Sequence, residues 1–279
     1  MKLLQSTMRK TSCIFIIFFL TIQAYAQQEK KLPKNKKDGI TKKIEEINSM
    51  LSYYGTLSPF SENDNRSEII DSVGKGIATR LLEILNDRRI INYPLEALLN
   101  RDQISVSKSI DNKVFFFSID EKTGGSYRTN ITLIHYRLPD GKVKAEYFGG
   151  EASEALGTSS YGTVYMLDST NRKYFVTGSV QTCNTCNASF AITIQLDTNS
   201  YHTALVAQYD GRYHDLKVFD YDSTAKVFSY EFYAAHNDDS LYGGDNDKDQ
   251  LQHKYRSKFK FLDGEFLEIE RCETWDKID

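Results

Sequence analysis

The sequence predicts a mainly β protein with N-terminal helices, an α+β chain in which the sheet dominates. Three observations carry that expectation. Apolar residues recur at helical spacing only before about residue 103. From about residue 104 the period changes to two, and β-branched and aromatic residues dominate. The apolar runs are separated by short polar turns such as Asp140-Gly141, Asp168-Ser-Thr-Asn171, Asp222-Ser-Thr224 and Asp263-Gly264. Turns this short join antiparallel neighbours, since parallel strands need long crossovers. The expected architecture is therefore an antiparallel β meander, arranged as a curled sheet, a sandwich or a propeller-like stack.

Taken in order, residues 1–26 combine Lys2, Arg9 and Lys10, the apolar run Cys13–Ile22, and Ala24-Tyr25-Ala26. A basic start, a short apolar core and a small-x-small site describe a secretory signal peptide, with cleavage expected between Ala26 and Gln27. The apolar run is too short for a spanning helix, so no transmembrane anchor is expected. Cys13 sits inside the apolar core rather than behind it, which argues against a lipoprotein anchor. Residues 27–38 carry Lys30, Lys31, Lys34, Lys36 and Lys37 among Gln and Pro and read as a basic flexible linker. Residues 39–103 form a helical portion. Ile40, Ile44, Ile47 and Leu51 mark one helix over 39–54, and Ile69, Ile70, Val73, Ile77, Leu81, Leu82 and Leu85 mark a second, ending at Asn86-Asp87. Gly74 and Gly76 weaken the middle of that helix by about 1 kcal/mol each relative to Ala, which implies a bend or close packing. They lie inside the helical pattern, so Gly-Lys-Gly is not a phosphate loop. Residues 104–279 form the antiparallel β domain, with about twelve strands between 104 and 271.

Two hairpins carry register expectations. A two-residue Asp140-Gly141 turn places Leu138, Tyr136 and Ile134 opposite Val143, Ala145 and Tyr147, with His135, Arg137, Lys144 and Glu146 on a mostly polar face. Around Asp263-Gly264 a three-residue bulged loop is expected instead. It sets Phe259 and Phe261 with Leu267 and Ile269, and Lys258 and Lys260 with Glu268 and Glu270.

Removing residues 1–26 takes three basic and no acidic residues, leaving 32 Lys+Arg against 38 Asp+Glu and a net charge of about −6. With no basic cluster beyond the linker, nucleic acid is not an expected partner. Of four cysteines, Cys183, Cys186 and Cys272 remain in the mature chain. A four-cysteine zinc site lacks its second pair, and a redox pair lacks its βαβ setting. A local Cys183–Cys186 disulfide is the expectation in an oxidising compartment, with Cys272 left over as a competing partner for either.

The most distinctive loop is Ser118-Ile-Asp120-Glu-Lys-Thr-Gly124-Gly125-Ser126-Tyr127-Arg128, which brings Asp120, Tyr127 and Arg128 together as candidate binding residues. Asp120 and the glycines also have a sufficient local explanation as a turn cap and positive-φ positions. With Tyr161-Gly-Thr-Val-Tyr-Met-Leu and Lys173-Tyr-Phe-Val, this loop resembles segments of exported proteins of Bacteroidetes-type bacteria over about residues 105–233. That resemblance implies export but no activity, and Ile119 stands where those proteins typically carry Trp.

Other motifs fall short of chemistry. His202, His214 and His236 have neighbouring carboxylates but no metal-ligand spacing, so no metal site is assigned. Ser159 and Ser160 lie in a stretch that does not match Gly-x-Ser-x-Gly. Asp245-Asn-Asp247-Lys-Asp249 opens like a calcium loop, yet Gln250 and Arg256 replace the required Gly and Glu. No cofactor motif is present. The resulting expectation is an exported, periplasmic or extracellular protein with a non-catalytic binding or envelope-associated role, a glycan or envelope protein being its partner class. The alternative is a hydrolase of envelope or extracellular polymers such as glycans. The leader predicts that intact-mass analysis of the protein from the exporting cell finds a species beginning at Gln27, and a product retaining residues 1–26 contradicts it.

Overall fold

The computed structural model describes residues 39–60, 65–123, 128–149, 154–182, 186–212, 216–235 and 251–277. Packing divides the chain into Met1–Lys42 and Lys43–Asp279. Of the first unit only the start of helix α1 is described.

Helix α1 (Gly39–Thr56) buries Ile44, Ile47, Leu51 and Tyr54, the i, i+3, i+4 stripe that its sequence dictates. Helix α2 (Arg66–Leu85) buries Ile70, Ile77, Ala78, Leu81, Ile84 and Leu85. The two glycines between these residues mark close packing. A Cβ on Gly74 would lie 3.3 Å from the Tyr54 hydroxyl, and one on Gly76 would lie 3.3 Å from the Met50 methyl. Arg80 and Glu46 pair at 2.7 Å on the exposed side of the helix pair. A 3-10 turn (Arg88–Asn92) and the four-residue helix α3 (Leu95–Leu98) follow. No helix among the described residues is long and apolar enough to cross a membrane.

Among the described residues thirteen strands form three antiparallel sheets in succession, so the expected meander is divided rather than continuous. The first sheet has the order β1 (Ile104–Lys108), β2 (Val114–Asp120), β3 (Asn130–Arg137), β4 (Val143–Tyr147). After helix α4 (Glu154–Gly157), the second contains β5 (Ser160–Tyr161), β6 (Tyr165–Asp168), β7 (Lys173–Gln181), β8 (Cys186–Leu196) and β9 (Tyr201–Arg212). In it β5 and β6 both pair with β7. The third has the order β10 (Leu216–Asp222), β11 (Val227–Ala235), β12 (Leu251–Leu262), β13 (Glu265–Lys277). Mainly β with N-terminal helices is thus the observed class, and the sheets are open.

Alternation along the strands determines how the layers stack. Val114, Phe116, Ile134 and Tyr136 of the first sheet join Tyr174, Val176, Phe190, Ile192 and Ile194 of the second in one core. The intervening positions of the second sheet, Phe175 and Ala191, join Tyr221 and Phe228 of the third in another. Helix α2 covers the far face of the first sheet along β3 and β4. The order of layers is therefore helices, first sheet, second sheet, third sheet. At the β4 edge, the Asn86 side chain donates to the Ala145 carbonyl and accepts from its N–H, both at 2.9 Å, and so pairs the strand's outward backbone groups.

Both hairpin registers differ from expectation. β3 and β4 pair Arg137 with Val143, Tyr136 with Lys144 and Ile134 with Glu146, one residue away from the expected match. The turn spans Leu138–Gly141, and Gly141 alone takes positive φ (+84°), followed by a return bond from Leu138 N–H to the Lys142 carbonyl. That is a bulged three-residue loop, and its extra residue moves Lys144 and Glu146 to the Tyr136 face, where the Tyr136 hydroxyl donates to Glu146 at 2.6 Å. Asp263 and Gly264 both have positive φ (+50° and +92°), the two-residue type I′ turn that was expected at the other hairpin. It pairs Phe261 with Phe266, and a bulge between Lys258 and Phe259 then restores the expected Lys258–Glu270 pair at 2.6 Å.

Gly178 is where the second sheet is tightest. A Cβ there would stand 2.5 Å from Phe190 and 2.8 Å from Tyr161, ring carbons of the inter-sheet core. Gly178→Ala is expected to destabilise the protein by about 1–3 kcal/mol through overpacking, measured by urea unfolding. An unchanged midpoint contradicts this packing.

Candidate functional site

The Asp120 loop is built as a clamp on helix α1. Asp120 Oδ1 accepts from the Lys122 backbone N–H at 2.8 Å, and the Asp120 carbonyl accepts from the Tyr54 hydroxyl at 2.8 Å. Lys122 takes positive φ (+52°), lays its ammonium over the Tyr54 ring at 4.7 Å, and donates to the Leu57 carbonyl at 2.9 Å and to the Tyr54 carbonyl. Burial pushes the Tyr54 hydroxyl well above its ordinary value, with Asp120 adding to the effect, so it stays a donor at pH 7. Arg128 is exposed, and its backbone N–H bonds the Gln181 carbonyl at 3.0 Å, tying the first sheet to the second. Tyr127 and both glycines lie outside the described residues. The described bonds of Asp120 and Arg128 are thus structural, one to helix α1 and one to the second sheet.

The other sequence candidates fare similarly. His202 meets Asp197 at 3.1 Å on an exposed hairpin. His214, His236 and Asp245–Asp249 lie outside the described residues. The Ser160 hydroxyl donates to the Ser179 carbonyl at 3.4 Å from a strand position, not from a strand-to-helix elbow. Among the described residues no group of three or more His, Cys, Asp or Glu side chains is placed to hold a metal ion. Cys272 is a free thiol on β13, and Cys186 is held in a disulfide. The partner expected for Cys186, Cys183, lies outside the described residues.

A different histidine defines the most site-like cavity. Where the 3-10 turn and α3 lie over the end of the first sheet, they border a partly open cleft of about 360 Å³ lined by Ile91, Glu96, Phe115, His135, Arg137 and Val143, among others. His135 is 6 % exposed, and no described protein group lies within hydrogen-bonding distance of either ring nitrogen. Leaving a buried polar atom unpaired costs about 1–3 kcal/mol, so two on one ring are a feature that needs a reason. Burial pushes its pKa down to about 4, with the positive charge of Arg137 adding to the effect, and the ring is neutral at pH 7. It lies against Phe115, its cross-strand neighbour, at 5.7 Å between ring centres.

The cations around the cavity are unequally engaged. Lys108 pairs with Glu96 at 2.6 Å and Lys113 with Asp111 at 3.3 Å. Arg137, half-buried, has no carboxylate partner among the described residues. The sequence reading placed His135 and Arg137 on a polar hairpin face and missed this cavity. The available signal was the unbroken run Val114-Phe-Phe-Phe117 on the neighbouring strand, which implies burial on both faces and so encloses any polar residue beside it.

Compared with known proteins, the chain matches no protein-family model and no curated protein.

The roles of the Asp120 loop can be separated by mutation. Tyr54→Phe removes the bond to the Asp120 carbonyl and is expected to cost about 1 kcal/mol, whereas Asp120→Asn keeps an acceptor for Lys122 N–H and should leave the thermal midpoint nearly unchanged. Differential scanning calorimetry of the two variants checks the order.

Proposed function

We propose that this chain is an exported, non-catalytic binding protein of the periplasm or extracellular space, and that its ligand enters the His135 cavity. The observation that carries the reading is the enclosed imidazole with both nitrogens unpaired, next to a guanidinium with no carboxylate partner among the described residues. These groups can orient a ligand. Hydrolysis would ask for a base paired with a nucleophile or a second acid, and no such partner stands within reach of the His135 nitrogens among the described residues. Export rests on the leader in residues 1–26 and agrees with the Cys183–Cys186 link that we assign to the β7–β8 hairpin. The envelope-associated role and the resemblance to exported proteins of Bacteroidetes-type bacteria belong to the same proposal.

The test is to follow the His135 ring resonances by NMR while mixtures of small carboxylates, amides, sugars and phosphates are added, and to recover each compound afterwards. The expected result is a saturable shift at His135 with every compound recovered intact. Turnover of any compound, or binding that leaves His135 unmoved, overturns the reading.

A further inference from the structure

The charge around the cavity narrows what can occupy it, given the proposed function above. We propose that the His135 cavity binds a compact organic monocarboxylate, its carboxylate on Arg137 and His135 and its apolar body against Phe115 and the Ile90–Leu95 segment.

The argument begins with charge matching. Lys108 and Lys113 already hold Glu96 and Asp111, so the lining offers one uncommitted cation, that of Arg137. One cation in a confined site balances a monoanion, while a phosphate dianion would carry unmatched charge away from water. The planar fork of a guanidinium matches the two oxygens of a carboxylate, with charge-assisted bonds stronger than neutral ones. Neutral His135 can donate one N–H to the same group without adding charge, and its other nitrogen can accept from a hydroxyl or amide on the ligand. No protein atom takes either place among the described residues.

Apart from Asn112 and the ion-paired Glu96, Lys108 and Lys113, the rest of the wall is apolar or aromatic. Phe115 lies along His135, while Ile90, Ile91, Tyr93, Pro94 and Leu95 form the lid side. Ile91 is 38 % exposed, an apolar side chain at the cavity's rim that gains contact area if a ligand's hydrophobic part lies beneath it. A volume of about 360 Å³ stands at the lower end of the range for small-molecule sites, which points to a single ring or a short chain in place of a polymer segment. A neutral glycan, rich in hydroxyls, would leave Arg137 unanswered.

Isothermal titration calorimetry with phenylacetate, its neutral isostere phenylacetamide, and inorganic phosphate decides the matter on the wild-type mature protein. The expected result is that phenylacetate binds, while phenylacetamide and phosphate bind at least tenfold more weakly. Arg137→Gln, confirmed as folded by its thermal midpoint, should lose on the order of tenfold to a hundredfold in phenylacetate affinity, since a charge-assisted pair is removed. Equal binding of phenylacetamide and phenylacetate overturns the carboxylate inference but leaves a binding cavity standing. Preference for phosphate overturns it in favour of an oxyanion site. If none of the three binds and a wider screen also leaves His135 unmoved, the reading of the chain as a binding protein through this cavity fails with it. The isostere comparison needs no variant, so a misfolded Arg137→Gln protein does not remove the test.

Discussion

The fold depends on one constraint: strands β7 and β8 are buried on both faces. Tyr174 and Val176 point into the core shared with the first sheet, and Phe175 between them points into the core shared with the third. Ile192 and Ala191 repeat the division on β8. Fully burying one such large side chain contributes about 1.5–3 kcal/mol, and both strands place side chains in both cores. Phe116 stacks on Tyr161 at 4.3 Å on one side, and Phe175 meets Tyr221 at 4.4 Å on the other. On its other face the first meander also buries Phe117, Ile119 and Leu133, so β7 and β8 cover one of its two packed faces. The first has helices on its far side, and the third presents Leu267 and Ile269 about half exposed.

Double burial also explains what the sequence did and did not reveal. Element existence was legible because it rests on local signals: helical spacing in Ile44–Leu51, strand composition after residue 104, and Asp-led turns. Asp168 and Asp222 each cap their turn by accepting two backbone N–H groups, and Arg172 and Lys226 then take positive φ. Face and register were not legible to the same degree. A strand with one wet face carries its orientation in its alternation, but β3 reads Ile-Thr-Leu-Ile-His-Tyr, apolar on both sides, and tolerates a one-residue slip on paper. The decision then passes to turn chemistry. In Leu138-Pro-Asp-Gly141 only Gly141 has positive φ, and the following residue makes a bulge, whereas Asp263-Gly264 accepts positive φ twice and needs none there.

The same reasoning bears on the site. The Asp120 loop drew notice because Asp, paired glycines, Tyr and Arg are adjacent in sequence, yet the Asp120 carboxylate bonds the Lys122 N–H of its own loop, and the backbone of Asp120 and Arg128 bonds helix α1 and the second sheet. The His135 cavity has no sequence motif at all. It is assembled from a 3-10 turn near residue 90, a strand start near 113 and a strand end near 137, and its only local trace is a histidine and an arginine on either side of Tyr136. What distinguishes it is a physical mismatch, polar atoms enclosed by a structure that does not pair them.

Residue-resolved amide hydrogen exchange against increasing urea tests the central claim most directly. If β7 and β8 hold the stack together, Val176 and Ile192 exchange last, and only through global unfolding. The third sheet opens earlier in urea without releasing them. Exchange of Val176 and Ile192 through a local opening, while amides of the first or third sheet remain protected, would contradict the account.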